Sequence, residues 1–285
     1  MSPVAALDIG GTHVSAGRVD LGSGTVERLV RVGYEPGADR PVLLEAILGA
    51  AASAADPAVD AIGVSAPGPF DYANGICRVR GLGKLEALYG VDLRKELAAA
   101  CGTRPGAVLF LNDAEAFVLG EAAFGAAAGH ARAIGLTLGT GLGSAFLVDG
   151  AIVRDGAGVP PDGSLHLLEF RGAPVEDRIS GRGLRTRAGG GAIDVRELAA
   201  AARGGDRRAR EAFARFAADL VAFLEPCLSA FAPTCVVVGG SIARAWDLIG
   251  DVLHAGFPAV DVAPAARLDE AALLGAARHA TAEAS

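Results

Sequence analysis

The chain has 285 residues, which is long enough to bury a substantial core in one large domain or two smaller ones. Apolar residues make up 51% and aromatic residues 5% of the chain, and this balance, with 40 glycines, favours an α/β enzyme over a disordered or fibrous protein. A formal net charge of −7 disfavours a broad nucleic-acid-binding surface, so we expect no nucleic-acid partner.

The N-terminal residues lack a charged leader followed by an apolar segment, and no apolar run approaches the roughly 20 residues that span a bilayer. We therefore expect a cytoplasmic protein without a membrane partner. The four cysteines, Cys77, Cys101, Cys227 and Cys235, form no CxxC or CxC pair, which argues against a closely spaced zinc or redox motif. We interpret all four as core residues.

The first elements alternate between strands and helices. A β-like run over residues 3–9 ends in the turn Gly10-Gly11-Thr12, after which an alternating pattern predicts a second strand. Helical spacing follows over 41–55. A short buried strand over 61–65 then leads into Ala66-Pro67-Gly68-Pro69, where two prolines exclude regular structure.

Two polar residues, Asn112 and Asp113, stand where a strand meets a helix. The pattern predicts the strand over 108–111 and the helix over 114–128. Catalytic groups of open α/β sheets collect at the carboxyl ends of strands, so this pair is a candidate for chemistry.

The glycine turn has a second copy later in the chain. A predicted strand over 133–138 ends in Gly139-Thr140-Gly141, and another strand follows over 144–148. The segments LDIGGTHVSAGRVD and LTLGTGLGSAFLVDG share one layout of strand, glycine and threonine hairpin, strand and turn. We interpret this as a degenerate duplication in which two similar α/β units each offer a hairpin to a common cleft.

The second half continues the alternation. Residues 206–231 have helical spacing, although Pro226 is expected to kink or interrupt the helix. A β-branched strand over 235–238 ends in Gly239-Gly240, and further helices are predicted from about Ile242 and over 269–280.

The two glycine hairpins fit phosphate binding. A backbone without side chains can approach a phosphate closely and point N–H groups at its oxygens. The alternative for each hairpin alone is an ordinary turn, and their occurrence after matched strands favours phosphate binding.

Two aspartates are candidates beside these hairpins. Asp8 precedes the first hairpin and can hold a hydrated Mg²⁺ beside phosphates, or it can cap its own turn. Asp113 can accept a hydroxyl proton while Asn112 holds a neighbouring hydroxyl, or it can serve only as the N-cap of the following helix.

Together these motifs resemble the ROK family of sugar kinases, which are glucokinase-like proteins of the actin and hexokinase type. LDIGGTHVSAGRVD resembles the first phosphate motif, SAPGPFD with Asn74-Gly75 the sugar-side loop, and LNDAEAFVLGE the Asn-Asp signature. LGTGLGSAFLVDG resembles the second phosphate motif, and VVVGGSI the glycine pair on the adenosine side. The order of the motifs is specific to the family, and the resemblance extends from Leu7 almost to the C-terminus.

The resemblance implies an ATP-dependent carbohydrate kinase of α/β class with two actin-like (ribonuclease H-like) domains and an interdomain cleft. It implies a smaller domain over 1–111, with the C-terminal helix 269–285 as a possible addition, and a larger one over 112–268. MgATP is the implied cofactor, and the acceptor is a hexose, most simply glucose at its 6-hydroxyl. A homodimer is also implied.

The resemblance also assigns roles to individual residues. Asp113 becomes the catalytic base, and Asp8 holds Mg²⁺ through water. The implied sugar ligands, besides Asp113, are Pro67, Gly68, Asn112, His166 and Glu176. The implied nucleotide ligands, besides Asp8, are Gly10, Gly11, Thr12, Gly139, Thr140, Gly141, Gly239 and Gly240.

The segment from 162 to 176 departs from the family. It reads DGSLHLLEFRGAPVE, in which the first expected glutamate is absent, with Asp162 or Gly163 nearest to it. The expected zinc-binding cysteine cluster is missing, so no structural zinc is expected. RGLGKLEALYG also stands where many members have an Asn-Leu sugar contact, with no equivalent asparagine.

These departures leave rival functions open. The acceptor can be an amino sugar, fructose or a cyclitol instead of glucose, and a sugar-binding protein with decayed catalysis is a further alternative. The family also includes repressors with a helix-turn-helix ahead of the first phosphate motif. That motif begins here at Asp8, which leaves no room for such a domain, so we expect an enzyme.

Overall fold

The computed structural model describes residues 4–55, 59–190 and 194–282. The chain divides into two compact units, Met1–Phe124 with Asp269–Ser285, and Gly125–Leu268. Pro3, at the start of the first predicted strand, and residues 283–285, at the end of the first predicted domain, lie outside the described residues.

The first unit is built on a five-stranded sheet of order β3-β2-β1-β4-β7. The first three strands form an antiparallel meander, while β4 is parallel to β1 and β7 is parallel to β4. A separate small hairpin pairs β5 with β6. The strands are β1 (Val4–Ile9), β2 (His13–Asp20), β3 (Thr25–Gly33), β4 (Ile62–Ala66), β5 (Phe70–Asp71), β6 (Ile76–Cys77) and β7 (Val108–Asn112).

Three helices follow the sheet strands of this unit, α1 (Arg40–Ala54), α2 (Leu93–Ala100) and α3 (Asp113–Phe124). Helix α1 begins after Asp39, whose carboxylate accepts the Val42 N–H, with a proline in the first turn. Its face with Leu43 and Ile47 is completely buried in the core on the sheet. The predicted helix over 41–55 is therefore confirmed.

The second unit repeats this architecture. Its main sheet has the order β10-β9-β8-β13-β14, with the same antiparallel meander followed by two parallel strands. This agreement supports the duplication inferred from the sequence. The strands are β8 (Arg132–Leu138), β9 (Leu142–Val148), β10 (Ala151–Val153), β11 (Glu169–Phe170), β12 (Ala173–Pro174), β13 (Cys235–Gly239) and β14 (Asp261–Pro264). The helices are α4 (Gly181–Arg187), α5 (Val195–Arg203), α6 (Arg207–Phe231) and α7 (Trp246–Gly256).

Helix α6 runs without a break through Pro226, so the predicted interruption is wrong. Proline removes one helical hydrogen bond and costs about 3 kcal/mol in a helix interior. The helix buries Phe213, Phe216 and Leu220 completely, and each large apolar side chain contributes about 1.5–3 kcal/mol. Burial of this face outweighs the cost of the proline.

The last helix, α8 (Ala271–Ala282), belongs to the first unit. The backbones of α8 and α3 are in direct contact. A methyl group on Gly120 would overlap the Ala271 carbonyl, and one on Gly275 would overlap the Ala116 carbonyl. Helix α3 is thereby held in the first unit. The sequence placed the domain boundary between 111 and 112, and the structure places it after Phe124.

Within the described ranges, no helix combines the length and apolar character needed to cross a membrane.

Candidate active site

Polar side chains gather at the carboxyl ends of three neighbouring strands of the first unit. Asp8 on β1 lies opposite Ser65 on β4, and Ala66 on β4 lies opposite Asn112 on β7. Parallel strands end at the same edge of a sheet, which is where open α/β sheets bind ligands. The sheet register therefore brings Asp8 and the Asn112-Asp113 pair to one edge.

Asp8 is held by a buried hydroxyl. Ser65 is completely buried and donates a hydrogen bond of 2.7 Å to Oδ1 of Asp8. Burial raises the pKa of Asp8, while the Ser65 hydrogen bond and the Arg31 charge oppose that rise. The carboxylate is thus fixed in orientation at the base of the first glycine hairpin.

Asp113 has the electrostatics of a general base. It is the first residue of α3, and its Oδ1 accepts the Ala114 N–H at 2.9 Å. Burial, followed by the negative charge of Asp8, raises the pKa of Asp113 to about 6, while the Lys84 charge acts in the opposite direction. A carboxylate with a pKa near neutrality suits proton abstraction at physiological pH.

Asn112 uses both ends of its amide. Its Oδ1 accepts the backbone N–H groups of Ala114 and Glu115 at 2.9 and 3.4 Å, so Asn112 provides capping bonds to α3. Its Nδ2 donates to the Tyr72 hydroxyl at 3.1 Å, and that hydroxyl donates to the Ala66 carbonyl at 3.2 Å. The amide is therefore locked in place beside Asp113.

The sugar-side loop lies next to this amide. Gly68, which follows Pro67 after β4, faces the Tyr72 hydroxyl, because a methyl group on Gly68 would lie 3.5 Å from that oxygen. The structure thus brings Gly68, Tyr72 and Asn112 together in the first unit.

The first hairpin, Gly10-Gly11-Thr12, is held at its base by hydrogen bonds, and the Lys84 side chain lies over Gly11. The Gly10 N–H donates to the His13 carbonyl at 2.9 Å, and the Tyr34 hydroxyl donates to the Gly10 carbonyl at 2.6 Å. Burial and the Asp8 charge raise the pKa of Tyr34, so its phenol stays a hydrogen-bond donor. Thr12 is exposed.

The second hairpin, Gly139-Thr140-Gly141, is held by the segment that contains Glu176. The Gly139 N–H donates to the Gly141 carbonyl at 3.0 Å, and the Gly139 carbonyl accepts the Gly181 N–H at 2.7 Å. Oε1 of Glu176 accepts the Leu142 N–H at 2.8 Å. The carboxylate predicted as a sugar ligand therefore also supports the hairpin.

The glycine pair Gly239-Gly240 lies beside the same hairpin. Gly240 has a φ of +82°, and a side chain there would collide with the backbone of Leu138, the residue before Gly139. Only glycine fits such a close approach in this conformation. The structure brings the pair and the second hairpin together within the second unit.

The segment from 162 to 176, which departs from the family pattern, contains His166 on a short 3₁₀ helix, Leu165–Leu167. His166 is exposed. The segment is anchored by the buried Ser144, which accepts the Leu165 N–H at 2.9 Å and donates to the Gly163 carbonyl at 2.6 Å. Asp162 has a φ of +53° and is also exposed. His166 and Asp162 can therefore be reached by a ligand from solvent.

The side chains that commonly bind metal ions are those of His, Cys, Asp and Glu. Among the described residues, no group of three or more His, Cys, Asp or Glu side chains is arranged to hold a metal ion. The four cysteines are free thiols, and Cys77 and Cys235 are buried.

Four residues that contact or influence the candidate site of the first unit were not identified from the sequence. They are Ser65, Tyr72, Tyr34 and Lys84. Ser65 carried a local signal, because it ends the predicted buried strand over 61–65 just before the loop. Tyr72 directly follows that loop and Lys84 lies in the segment RGLGKLEALYG, but no local pattern indicates their contacts with Asn112 and Gly11, or that of Tyr34 with Gly10.

The repeated sheet and the two glycine hairpins define a protein of the actin-like α/β class with two domains. The sequence model of the ROK family matches residues 4–283. The chain belongs to the ROK family.

Individual relatives agree with this family. The glucokinase of Thermotoga maritima is 32% identical over 85% of this chain and 83% of its own length. The crystal structure of a ROK family glucokinase from Streptomyces griseus, in complex with glucose and AMPPNP, superposes with a TM-score of 0.81 at 26% identity, over 98% of this chain and 99% of that one. An N-acetyl-D-glucosamine kinase of Pectobacterium carotovorum is 30% identical over 66% of this chain and 68% of its own length.

The class predicted from the sequence is therefore confirmed. The chain is an ATP-dependent carbohydrate kinase of the ROK family, and its substrate is a small sugar.

Proposed function

We propose that this protein transfers the γ-phosphoryl group of MgATP to the 6-hydroxyl of glucose, with Asp113 as the general base. The observation that carries the assignment of the base is the position of Asp113, directly after β7 at the sheet edge that also holds Asp8 and the oriented amide of Asn112. Burial and the charge of Asp8 raise the pKa of Asp113 to about 6, which agrees with this assignment. Glucose is favoured as acceptor because glucokinases are among the relatives that match most of the chain.

The chemistry assigned to the first unit is an in-line displacement. The acceptor hydroxyl oxygen forms a bond to the γ-phosphorus as the bond from that phosphorus to the bridging oxygen of ADP breaks. The hydroxyl proton passes to the Asp113 carboxylate, and ADP leaves. Asn112, locked by Tyr72 and by the α3 cap, orients a sugar hydroxyl next to this base.

The glycine residues provide the nucleotide ligands. Gly10, Gly11 and Thr12 in the first unit, and Gly139, Thr140 and Gly141 in the second, present backbone groups to phosphate oxygens. Gly239 and Gly240 are proposed to lie on the adenosine side, and the close approach of Gly240 to the Leu138 backbone fixes this turn beside the second hairpin.

Asp8 fits a magnesium ion that arrives with ATP. Its carboxylate is oriented by Ser65, and its charge raises the pKa of Asp113, so a nearby divalent cation would offset the repulsion between the two carboxylates. Such an ion polarises the phosphate oxygens. With no cluster of three ligands in the described chain, Asp8 would hold it through water.

The sugar is proposed to contact Pro67, Gly68, Asn112 and Asp113 of the first unit, and His166 and Glu176 of the second. The exposure of His166 supports a ligand role. The bond from Leu142 to Oε1 of Glu176 gives that carboxylate a fixed orientation.

An amino sugar is the second candidate acceptor. The segment from 162 to 176 departs from the usual family pattern, and one relative is an N-acetyl-D-glucosamine kinase. Fructose and cyclitols are less supported, because no described contact favours them.

An acceptor panel decides between these functions. ATP consumption is measured with glucose, mannose, N-acetylglucosamine, N-acetylmannosamine, fructose and myo-inositol. The proposal expects the highest kcat/KM with glucose. A tenfold preference for an N-acyl amino sugar would replace glucose with the second candidate, and no acceptor-dependent ATP consumption would leave only a sugar-binding protein.

We also propose a homodimer, which the family resemblance implies, and a cytoplasmic location, which the sequence led us to expect from its N-terminal residues and apolar runs. Sedimentation of the purified protein at several concentrations tests the first, and fractionation of the source cells tests the second.

A further inference from the structure

Lysine is rare in this chain. Only two of its 26 basic residues are lysines, Lys84 and Lys95, and the others are arginines. Lys95 has a side chain that is 75% exposed on α2 and pairs with Asp92 at 2.8 Å. Lys84 instead lies in the segment between β6 and α2 and is partly buried.

The stem of Lys84 packs on the first glycine hairpin. A methyl group on Gly11 would lie 3.0 Å from Cδ of Lys84 and 3.6 Å from its Cβ. The methylene chain thus crosses the hairpin at Gly11, and the position is close to the backbone groups proposed to bind phosphate.

The charge of Lys84 reaches the proposed base. It lowers the pKa of Asp113 against the effects of burial and of Asp8. One flexible cation therefore lies against the hairpin and within electrostatic range of Asp113. In the function proposed above, the phosphoryl group passes between these two features.

The neighbours of Lys84 hold it in this place. Leu85 and Leu88 are buried in the core of the first unit. On the other side, the Gly83 N–H donates to the Glu86 carboxylate at 2.7 Å. The residues after Lys84 are therefore anchored in the core, and the bond from Gly83 to Glu86 closes the turn that contains Lys84.

We propose that Lys84 is a catalytic residue whose ammonium group binds the phosphoryl group during its transfer to the acceptor hydroxyl. The proposal builds on the sugar kinase function above. The phosphoryl group carries its negative charge on three equatorial oxygens, and it passes beside two carboxylates, Asp8 and Asp113. A compact ammonium with three donors offsets that repulsion and follows the moving group, which a rigid guanidinium does less well.

Kinetics test the role with a matched control. Lys84→Met is expected to lower kcat by about 10²–10³-fold with less than a threefold change in the KM of the sugar, because the interaction belongs to the transition state. Lys95→Met is expected to stay within twofold of the wild type. A Lys84→Met variant within threefold of wild-type kcat overturns the proposal, as does a loss confined to the KM of the sugar.

Direct observation of the ammonium group separates this inference from the function. Reductive ¹³C-methylation labels the two lysines and the terminal amine, and Lys84→Arg and Lys95→Arg assign the signals. Added ADP, Mg²⁺, fluoroaluminate and sugar, which together mimic the phosphoryl group in transfer, are expected to shift the Lys84 signal and leave that of Lys95 unchanged. An unchanged Lys84 signal overturns the proposal.

If wild-type turnover fails with every sugar, the proposed function has failed. If wild type and Asp113→Asn behave as predicted but Lys84→Met is normal, only the lysine proposal has failed.

Discussion

Ser65 donates a hydrogen bond of 2.7 Å to Oδ1 of Asp8, and the two residues lie opposite each other on parallel strands. The hydroxyl is completely buried, and it opposes the rise that burial causes in the pKa of Asp8. The buried Ser65 hydroxyl thus orients the Asp8 carboxylate and favours its ionised form.

Replacing Ser65 tests this contact. Ser65→Ala is expected to destabilise the protein by about 1–3 kcal/mol, because the buried Asp8 oxygen loses its donor. It is also expected to raise the pKa of Asp8 and to lower kcat. Ser53→Ala, which removes an exposed hydroxyl bonded within α1, is the control and should stay within about 0.5 kcal/mol of wild type. Equal stability of both variants in urea denaturation would contradict the contact's importance.

The pKa of Asp113 predicts an acid limb in the activity. The ionised Asp113 carboxylate is the proposed base, and burial with the Asp8 charge raises its pKa to about 6, so kcat/KM should fall below about pH 6. Asp8→Asn removes a negative charge and should lower the pKa of Asp113, which carboxyl ¹³C NMR titration of the folded protein measures. An acid limb near pH 4 in the wild type, as for an ordinary aspartate, would argue against this environment.

Glu176 is expected to affect ATP as well as sugar. Its Oε1 accepts the N–H of the buried Leu142 at the end of the second hairpin. Glu176→Ala should raise the KM of ATP by about tenfold, because the hairpin loses this acceptor, while Glu176→Gln keeps an acceptor oxygen and should change it less than threefold. An unchanged KM of ATP in Glu176→Ala would restrict this residue to the sugar.

The contact between α3 and α8 predicts a contrast between two glycines. Gly275→Ala places a methyl group on the Ala116 carbonyl and should destabilise the first unit by about 3 kcal/mol or more. Gly49→Ala lies in α1 with open space around it and should stabilise the protein by about 0.5–1 kcal/mol. Melting temperatures and hydrogen exchange in α3 measure both effects. Similar stability of the two variants would refute the close packing of the helices.

Local sequence signals predicted much of the fold and part of the site. The strand and glycine hairpin around Gly10, the repeat around Gly139 and the Asn112-Asp113 junction depend on neighbouring residues, so their patterns are visible in the sequence. The pattern also indicated the helix at 206–231, although Pro226 suggested a break that burial of the helix face overrides.

The remaining features depend on contacts between distant segments. Ser65 lies 57 positions from Asp8, and Tyr72 lies 40 positions from Asn112, so no local pattern marks these pairs. The domain boundary after Phe124 depends on α3 packing against α8, which the chain brings in only at its end. The contact of Lys84 with Gly11 has the same origin.

The turnover of Asp113→Asn tests the central claim most directly. Asparagine keeps the shape of the side chain but cannot take the proton from the acceptor hydroxyl. With the best acceptor sugar, kcat is expected to fall by about 10²–10⁴-fold, while AMPPNP binding measured by calorimetry stays within threefold of the wild type. Near-normal turnover by the folded variant would contradict the assignment of Asp113 as the base.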